Sequence, residues 1–491
     1  MDFEELKRYL SIGLVLLVHS SVLNTPALSA PREGSKCTSV GKVSGKLTCV
    51  SLDGKKFWYE ITLAKGVKKY AQINTDCYRE NLITKGYDTS KKLVQLTCKY
   101  PTSVKGSELP KWVSLNGTGV TTESLGKSSP TSALTNSNLF LDDKTCRIID
   151  GDPVLTNMTA GFPIPDGRID LRQGANIQVI GIDFTDKKAD FGSPKDQNEA
   201  ISKGTNDFWI SQSSVPVKIN WNWYSKWITM PNPIKSYNMG GSFFEGKFNP
   251  DIYFNFARQI ISQTDSEIDF KSVNLLILVF PKNVMSDEIG TFVVHTQGAY
   301  STSEGVIYNL IMAGGNYANL DTYIHEFGHA LGLTDIRDTT DLGNQKLDGM
   351  YFDTMNNPDY PELLVWHRFL LGFLEQNQIH CKTNSQESTH WLHPVAKNTK
   401  ELKGLVIPLN STEAIIVESR RPLNYDKKLI SRQDLVGAVV YTLDSKVPYR
   451  RTPVRVVRVL KNQESVLSNG YKISVIESGD FGDVVKVEKV S

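Results

Sequence analysis

One short stretch constrains this chain more than any other: His325-Glu326-Phe327-Gly328-His329-Ala330-Leu331-Gly332-Leu333-Thr334-Asp335. Histidines four positions apart lie one turn apart on the same face of an α-helix. Their rings can then converge on one ion at about 2.0–2.1 Å, the zinc–imidazole distance. Glu326 is displaced around the helix, so it faces the open coordination position and can take a proton from water held there. A catalytic zinc site needs a third protein ligand besides that water. Gly332 can end the helix in a conformation other residues resist, and the returning chain then offers Asp335. Asp338, Asp341 and Glu362 are rival third ligands, but Glu362 would leave Gly332 without a purpose. A helix whose histidines are merely solvated does not account for helix, turn and export signal occurring together.

The export signal is at the start. Lys7 and Arg8 precede an apolar run from Tyr9 to Val22, and Ala27, Ser29 and Ala30 follow. That order predicts a signal peptide over 1–30. Its apolar core is shorter than the roughly 20 residues a bilayer span needs, and no later run is long enough. The expectation is a secreted chain with no integral membrane segment. The six cysteines agree with export. Their simplest pairing is Cys37 with Cys49 and Cys77 with Cys98, which leaves Cys146 for Cys381, although other pairings are open. A net charge of +2 removes nucleic acid from the candidate partners.

Residues 31–115 read as a β-rich module built twice: Cys37, Leu47-Thr48-Cys49 and Trp58, then Cys77, Leu96-Thr97-Cys98 and Trp112. Residues 116–139, rich in Ser, Thr, Gly and Asn, read as a flexible linker. From 140 to 378 strand and helix signals alternate. Ile177 to Phe184 and Val273 to Phe280 are buried strands. Val217 to Trp223 is a half-exposed strand, and Ile289 to Tyr308 holds one or two more. Asn249-Pro250 opens one helix, Asp321 can cap the helix of the motif, and Pro361 opens a last one over Glu362 to Leu371. Residues 379–491 carry short strands and predict a β domain, a sandwich. The fold class is therefore α+β.

The stretch from His325 to Asp335 resembles the zinc-binding motif of the metzincin clan of metallopeptidases, and most of all the immune inhibitor A family of secreted bacterial metallopeptidases, where aspartate is the usual third ligand. Ile182-Asp183-Phe184-Thr185-Asp186 is similar to that family's early strand. Asp353-Thr354-Met355 is similar to its Met-turn, which places a methionine, here Met355, beneath the metal. Trp366-His367-Arg368-Phe369-Leu370-Leu371-Gly372-Phe373 resembles the next helix, and Ala414 to Arg421 and Val436 to Asp444 resemble strands of its C-terminal β domain. The resemblance spans roughly 140–445. It implies a catalytic domain over 140–378, one Zn²⁺, and cleavage of polypeptides laid along an edge strand in Ile289–Tyr300. Where most metzincins place a tyrosine two residues after the methionine, this chain has Asn357, with Tyr360 nearby, so the oxyanion donor is unassigned. Met350 is a second candidate for the Met-turn.

The reading is thus a secreted zinc endopeptidase with His325, His329 and Asp335 as metal ligands and Glu326 as general base. Its rival is a secreted adhesion protein on an inert peptidase-like core, for which an intact Glu326 would have no use. Calcium at Asp341, Asp348 and Asp353 is weaker than a solvated acidic loop. His380, Cys381, His390 and His393 would make a second metal cluster only with Cys381 free. His295 and His367 read as packing or surface residues, and Trp221, Trp223 and Trp227 as a hydrophobic face.

Overall fold

The computed structural model describes residues 35–44, 47–52, 55–60, 71–72, 83–87, 92–99, 111–114, 129–152, 157–190, 192–244, 247, 249–290, 293–295, 300–313, 319–337, 351–356, 361–448 and 451–490. The expected signal peptide, Cys77, Asp338, Asp341, Asp348, Met350, Asn357 and Tyr360 lie outside them. Among the described residues the chain is a mixed α+β protein, and no helix is long and apolar enough to cross a membrane.

The central sheet is built on Ala175–Phe184, whose apolar run has no polar face, as suits a strand covered on both sides. It pairs in parallel with Leu275–Val279 and with Ile219–Met230, and Leu275–Val279 pairs in parallel with Leu310–Ala313. Val293–His295 closes one edge, antiparallel to Leu310–Ala313. Parallel neighbours need crossovers, and helices Pro194–Ser211 and Pro250–Thr264 supply two. Ser193 and Asp196 cap the first reciprocally, and Asn249 caps the second.

One face of the sheet, with Ile177, Val179, Ile277 and Ile311, packs against Phe208 and Trp209 and against Tyr323, Ile324 and Phe327 of helix Leu320–Ala330. The other face, with Ile180, Ile182, Leu276 and Met312, packs against Tyr253, Phe256, Ile260 and Ile261. The motif helix is thereby pressed onto a sheet rather than left on a loop.

After residue 378 the chain forms two sheets. Ile379–Cys381, Gly404–Pro408, Glu413–Arg420, Gly437–Asp444 and Val454–Leu460 make the first, and Ser388–Leu392, Gly482–Lys489, Tyr471–Gly479 and Ser465–Ser468 the second. Leu405, Ile415, Val417, Val440, Ile473 and Val485 share a core between them. The opposite face of the first sheet, through Val406, Ile416, Val439 and Tyr441, joins the same core as the motif helix.

Residues 43–114 carry a separate seven-stranded sheet with the Cys37–Cys49 disulfide. Its repeated pattern becomes geometry: Cys49 lies opposite Trp58, and Cys98 opposite Trp112, in equivalent hairpins.

Three local expectations change. The motif helix is capped by Asn319, whose side chain accepts from Thr322 N, and Asp321 sits in its first turn instead. The last helix runs over Val365–Leu370, not from Glu362. It starts late because the N–H groups of Leu363, Leu364 and Val365 go to the side chains of Gln212, Asp353 and Glu418. The described part of the expected linker is pinned. Thr131 and Ser132 donate to the Glu477 carboxylate, Thr135 pairs with Thr389, and Phe140 is buried beside the rings of His380 and His390.

Cys146 is disulfide-bonded to Cys381. Cys381 is therefore no thiolate ligand, and the second metal cluster at His380, Cys381, His390 and His393 fails. His380 and His390 instead share a hydrogen bond, Nδ1 to Nδ1 at 2.9 Å.

Candidate metal centre

The motif helix ends in a Schellman turn: Leu333 N–H donates to Gly328 O and Gly332 N–H to His329 O. Gly332 has φ +101°, and a side chain there would press on Ile164 and Arg168. The chain after the turn is held by residues 159–169. Thr159 N–H donates to Gly332 O at 2.8 Å, and Ile169 N–H to Ala330 O at 3.1 Å. This bracing delivers Asp335 back to the helix.

Asp335 Oδ1 lies 3.2 Å from His325 Nε2 and 3.8 Å from His329 Nε2. Donors each about 2.0–2.1 Å from a tetrahedral ion stand about 3.3 Å apart, so these spacings suit a shared ion. Ligand atoms of His325, Glu326 and His329 all lie within 4.8 Å of one another. Glu326 Oε1 is 4.0 Å from His325 Nε2, beside the convergence point rather than in it. All four residues are buried.

Both histidines have their other nitrogen committed. His325 Nδ1 meets Thr354 O at 2.8 Å, and His329 Nδ1 meets Leu333 O at 2.8 Å. A carbonyl can only accept, so each Nδ1 carries a proton and each Nε2 is left facing Asp335, able to offer a lone pair once deprotonated. Asp335 Oδ1 is buried, and its charged neighbours are the two imidazoles on one side and Arg337 on the other. Two Nε2 atoms and a buried carboxylate oxygen facing one another at these distances suit a shared cation. Zn²⁺ fits that donor set: imidazole and carboxylate ligands, closely spaced, with a carboxylate alongside.

The electrostatics point the same way. Burial alone would drive the His325 imidazole down, yet Asp335 and Glu326 beside it lift it to about 9. Against the upward push of burial, His325, His329 and Arg337 hold Asp335 below the usual carboxylate range. Burial raises Glu326, and the two histidines only partly offset it. A raised carboxylate is a better proton acceptor near neutral pH.

Met355 is fully buried and its sulfur lies against Gly328, where any side chain would collide with it. The Met355 turn is tied to the Asp335 segment, since Ile336 N–H donates to Met355 O at 3.3 Å. The rival ligand Glu362 is elsewhere, paired with Arg368 and accepting from Tyr425 N. Asp353, considered for calcium, spends both oxygens on protein donors.

Two neighbours of the site carry no sequence signal. Arg337 Nε lies 3.7 Å from Asp335 Oδ1. His367 is buried, not a surface residue, with Nδ1 at 2.8 Å from Asp353 Oδ2. His367 could not have been singled out from spacing, because its partner is on another segment. Asp353 could have been, as an Asx turn preceding Met355.

Compared with known families and with curated proteins, the chain matches no family model and no curated protein.

Proposed function

We propose that the chain is a secreted zinc-dependent endopeptidase, with a metzincin-like catalytic domain between the N-terminal module and the C-terminal β domain. One observation supports this above the others: Asp335 Oδ1 sits 3.2 and 3.8 Å from the Nε2 atoms of His325 and His329. His325, His329 and Asp335 would hold the zinc ion. Zinc bound there would polarise a peptide carbonyl and lower the pKa of water toward about 7.

Glu326 accepts the proton of the attacking water and returns it to the leaving amine. Its burial keeps that proton from escaping to solvent. The substrate is an extended polypeptide aligned on Val293–His295, the edge strand of the central sheet among the described residues, next to the motif helix. Export is supported by the Cys37–Cys49 and Cys146–Cys381 disulfides, which persist in oxidising compartments.

Casein hydrolysis by wild type and by Glu326→Ala tests the chemistry. Wild type is expected to cleave, and Glu326→Ala to lose about 10²–10⁴-fold in rate while keeping its zinc. Equal rates in the two proteins would refute the assignment of Glu326. Absence of cleavage by a zinc-loaded wild type would favour the adhesion reading.

A further inference from the structure

Asp353 is fully buried and accepts three hydrogen bonds. Oδ1 takes Met355 N–H at 2.7 Å. Oδ2 takes Leu364 N–H at 2.6 Å and faces His367 Nδ1 at 2.8 Å. Met355 N–H belongs to the same peptide unit as Thr354 C=O, the acceptor of His325 Nδ1–H. A carboxylate thus binds one end of a peptide group whose other end binds a candidate metal ligand.

We propose that Asp353 is a positioning residue for the metal centre, acting on His325 through the single Thr354–Met355 peptide. The inference rests on the zinc reading above. Hydrogen bonds to an ionised acceptor are roughly twice as strong as neutral ones. The carboxylate polarises the peptide, so Thr354 O becomes a stronger acceptor, by about 10–30% per bond in such chains. A stronger acceptor at Nδ1–H makes Nε2 a better donor to the ion and fixes the ring. Leu364 N–H and His367 hold the carboxylate in place from the helix that follows, so it cannot turn away from Met355.

His329 is the internal control. Its acceptor, Leu333 O, belongs to a peptide whose N–H, on Thr334, meets a neutral carbonyl, Thr159 O, at 3.4 Å among the described residues. The two ligand imidazoles therefore differ in what stands behind their carbonyl partners. A staple that merely holds the turn would not distinguish them.

The test is nuclear magnetic resonance of the zinc-loaded wild-type chain with ¹⁵N-labelled histidine, which needs no variant to fold. The His325 Nδ1–H proton is expected downfield of the His329 Nδ1–H proton. Coincident or reversed positions would overturn the relay while leaving zinc binding intact. A chain that takes up no zinc would overturn the relay and the peptidase reading together. Zinc uptake with the expected order but no proteolysis would keep the relay and sink the peptidase reading. A second readout is zinc affinity by competition with a chromophoric chelator. Asp353→Asn is expected to bind zinc about 10–100-fold more weakly, as is Asp353→Ser, which leaves space for water at Leu364 and His367. Affinity within twofold of wild type in either folded variant would also overturn it.

Discussion

At the residue scale the candidate site is a balance of buried charges. Asp335 lies closer to the His325 nitrogen than does Glu326, which is the ground for proposing one carboxylate as ligand and the other as base. Asp335→Ala should therefore weaken zinc binding by more than the 10–100-fold typical of a residue one step removed from the metal. Glu362→Gln should leave zinc affinity unchanged and lower thermal stability instead, because Glu362 is paired with Arg368 inside the protein. Chelator competition and a melting curve on the same two variants check both outcomes. The convergence of His325, Glu326 and His329 was legible because it depends on spacing along one helix. The contact between His367 and Asp353 was not, because its partners lie on different segments.

A second residue-scale consequence concerns acid. Burial lowers His380 to about 4 and both His390 and His393 to about 3. A histidine depressed in the folded state takes up its proton only on unfolding. The stability it contributes is complete above the unfolded value of about 6.5 and is lost as pH falls from there toward 4 and 3. Each such group adds a slope of about 1.4 kcal/mol per pH unit within that window. His390→Gln should lower the dependence of unfolding free energy on pH between 6 and 4 by about that slope, read from denaturant titrations. An unchanged slope would contradict the burial argument.

At the element scale, the turn after the motif helix decides whether Asp335, the proposed third ligand, reaches the histidines. Gly332 at φ +101° leaves no comfortable place for a Cβ, and the space is already taken by Ile164 and Arg168. Gly332→Ala is expected to cost about 1–2 kcal/mol of stability from the left-handed backbone alone, and to weaken zinc binding by displacing Asp335. Retained zinc affinity would show that the turn is not what delivers the ligand. Strong periodicity made the major elements legible: the strands at Ile177 to Phe184 and Val273 to Phe280 and the helix at Asn249-Pro250 stand close to where they were expected. Boundaries were less so. Glu362 to Val365 reads as a helix start, yet three side chains from elsewhere claim its N–H groups and delay the helix. The short strands Tyr300–Ser301, Val306–Ile307 and Leu310–Ala313 have too little periodicity to be separated in advance.

At the scale of the whole molecule, the region after residue 378 is part of the support of the site. Arg420, fully buried on Glu413–Arg420, donates to Phe352 O and Leu363 O and pairs with Glu418 and Asp426. It thereby grips both ends of the segment that contains Met355. The disulfide between Cys146 and Cys381, a separation of 235 residues, ties the strap at residues 131–151 to the same sheet. Replacing both cysteines by serine should cost about 2–5 kcal/mol, measured by denaturant unfolding. Pairing by elimination anticipated this bond. The docking of residues 131–140 was hidden, since Ser and Thr in a run look disordered until a carboxylate such as Glu477 collects their donors.

The most direct measurement is anomalous diffraction at the zinc edge from crystals of the protein grown with zinc. A single strong peak is predicted about 2 Å from His325 Nε2, His329 Nε2 and a carboxylate oxygen of Asp335, with Glu326 outside bonding distance. A peak lacking Asp335, or none between the two imidazoles, would contradict the account.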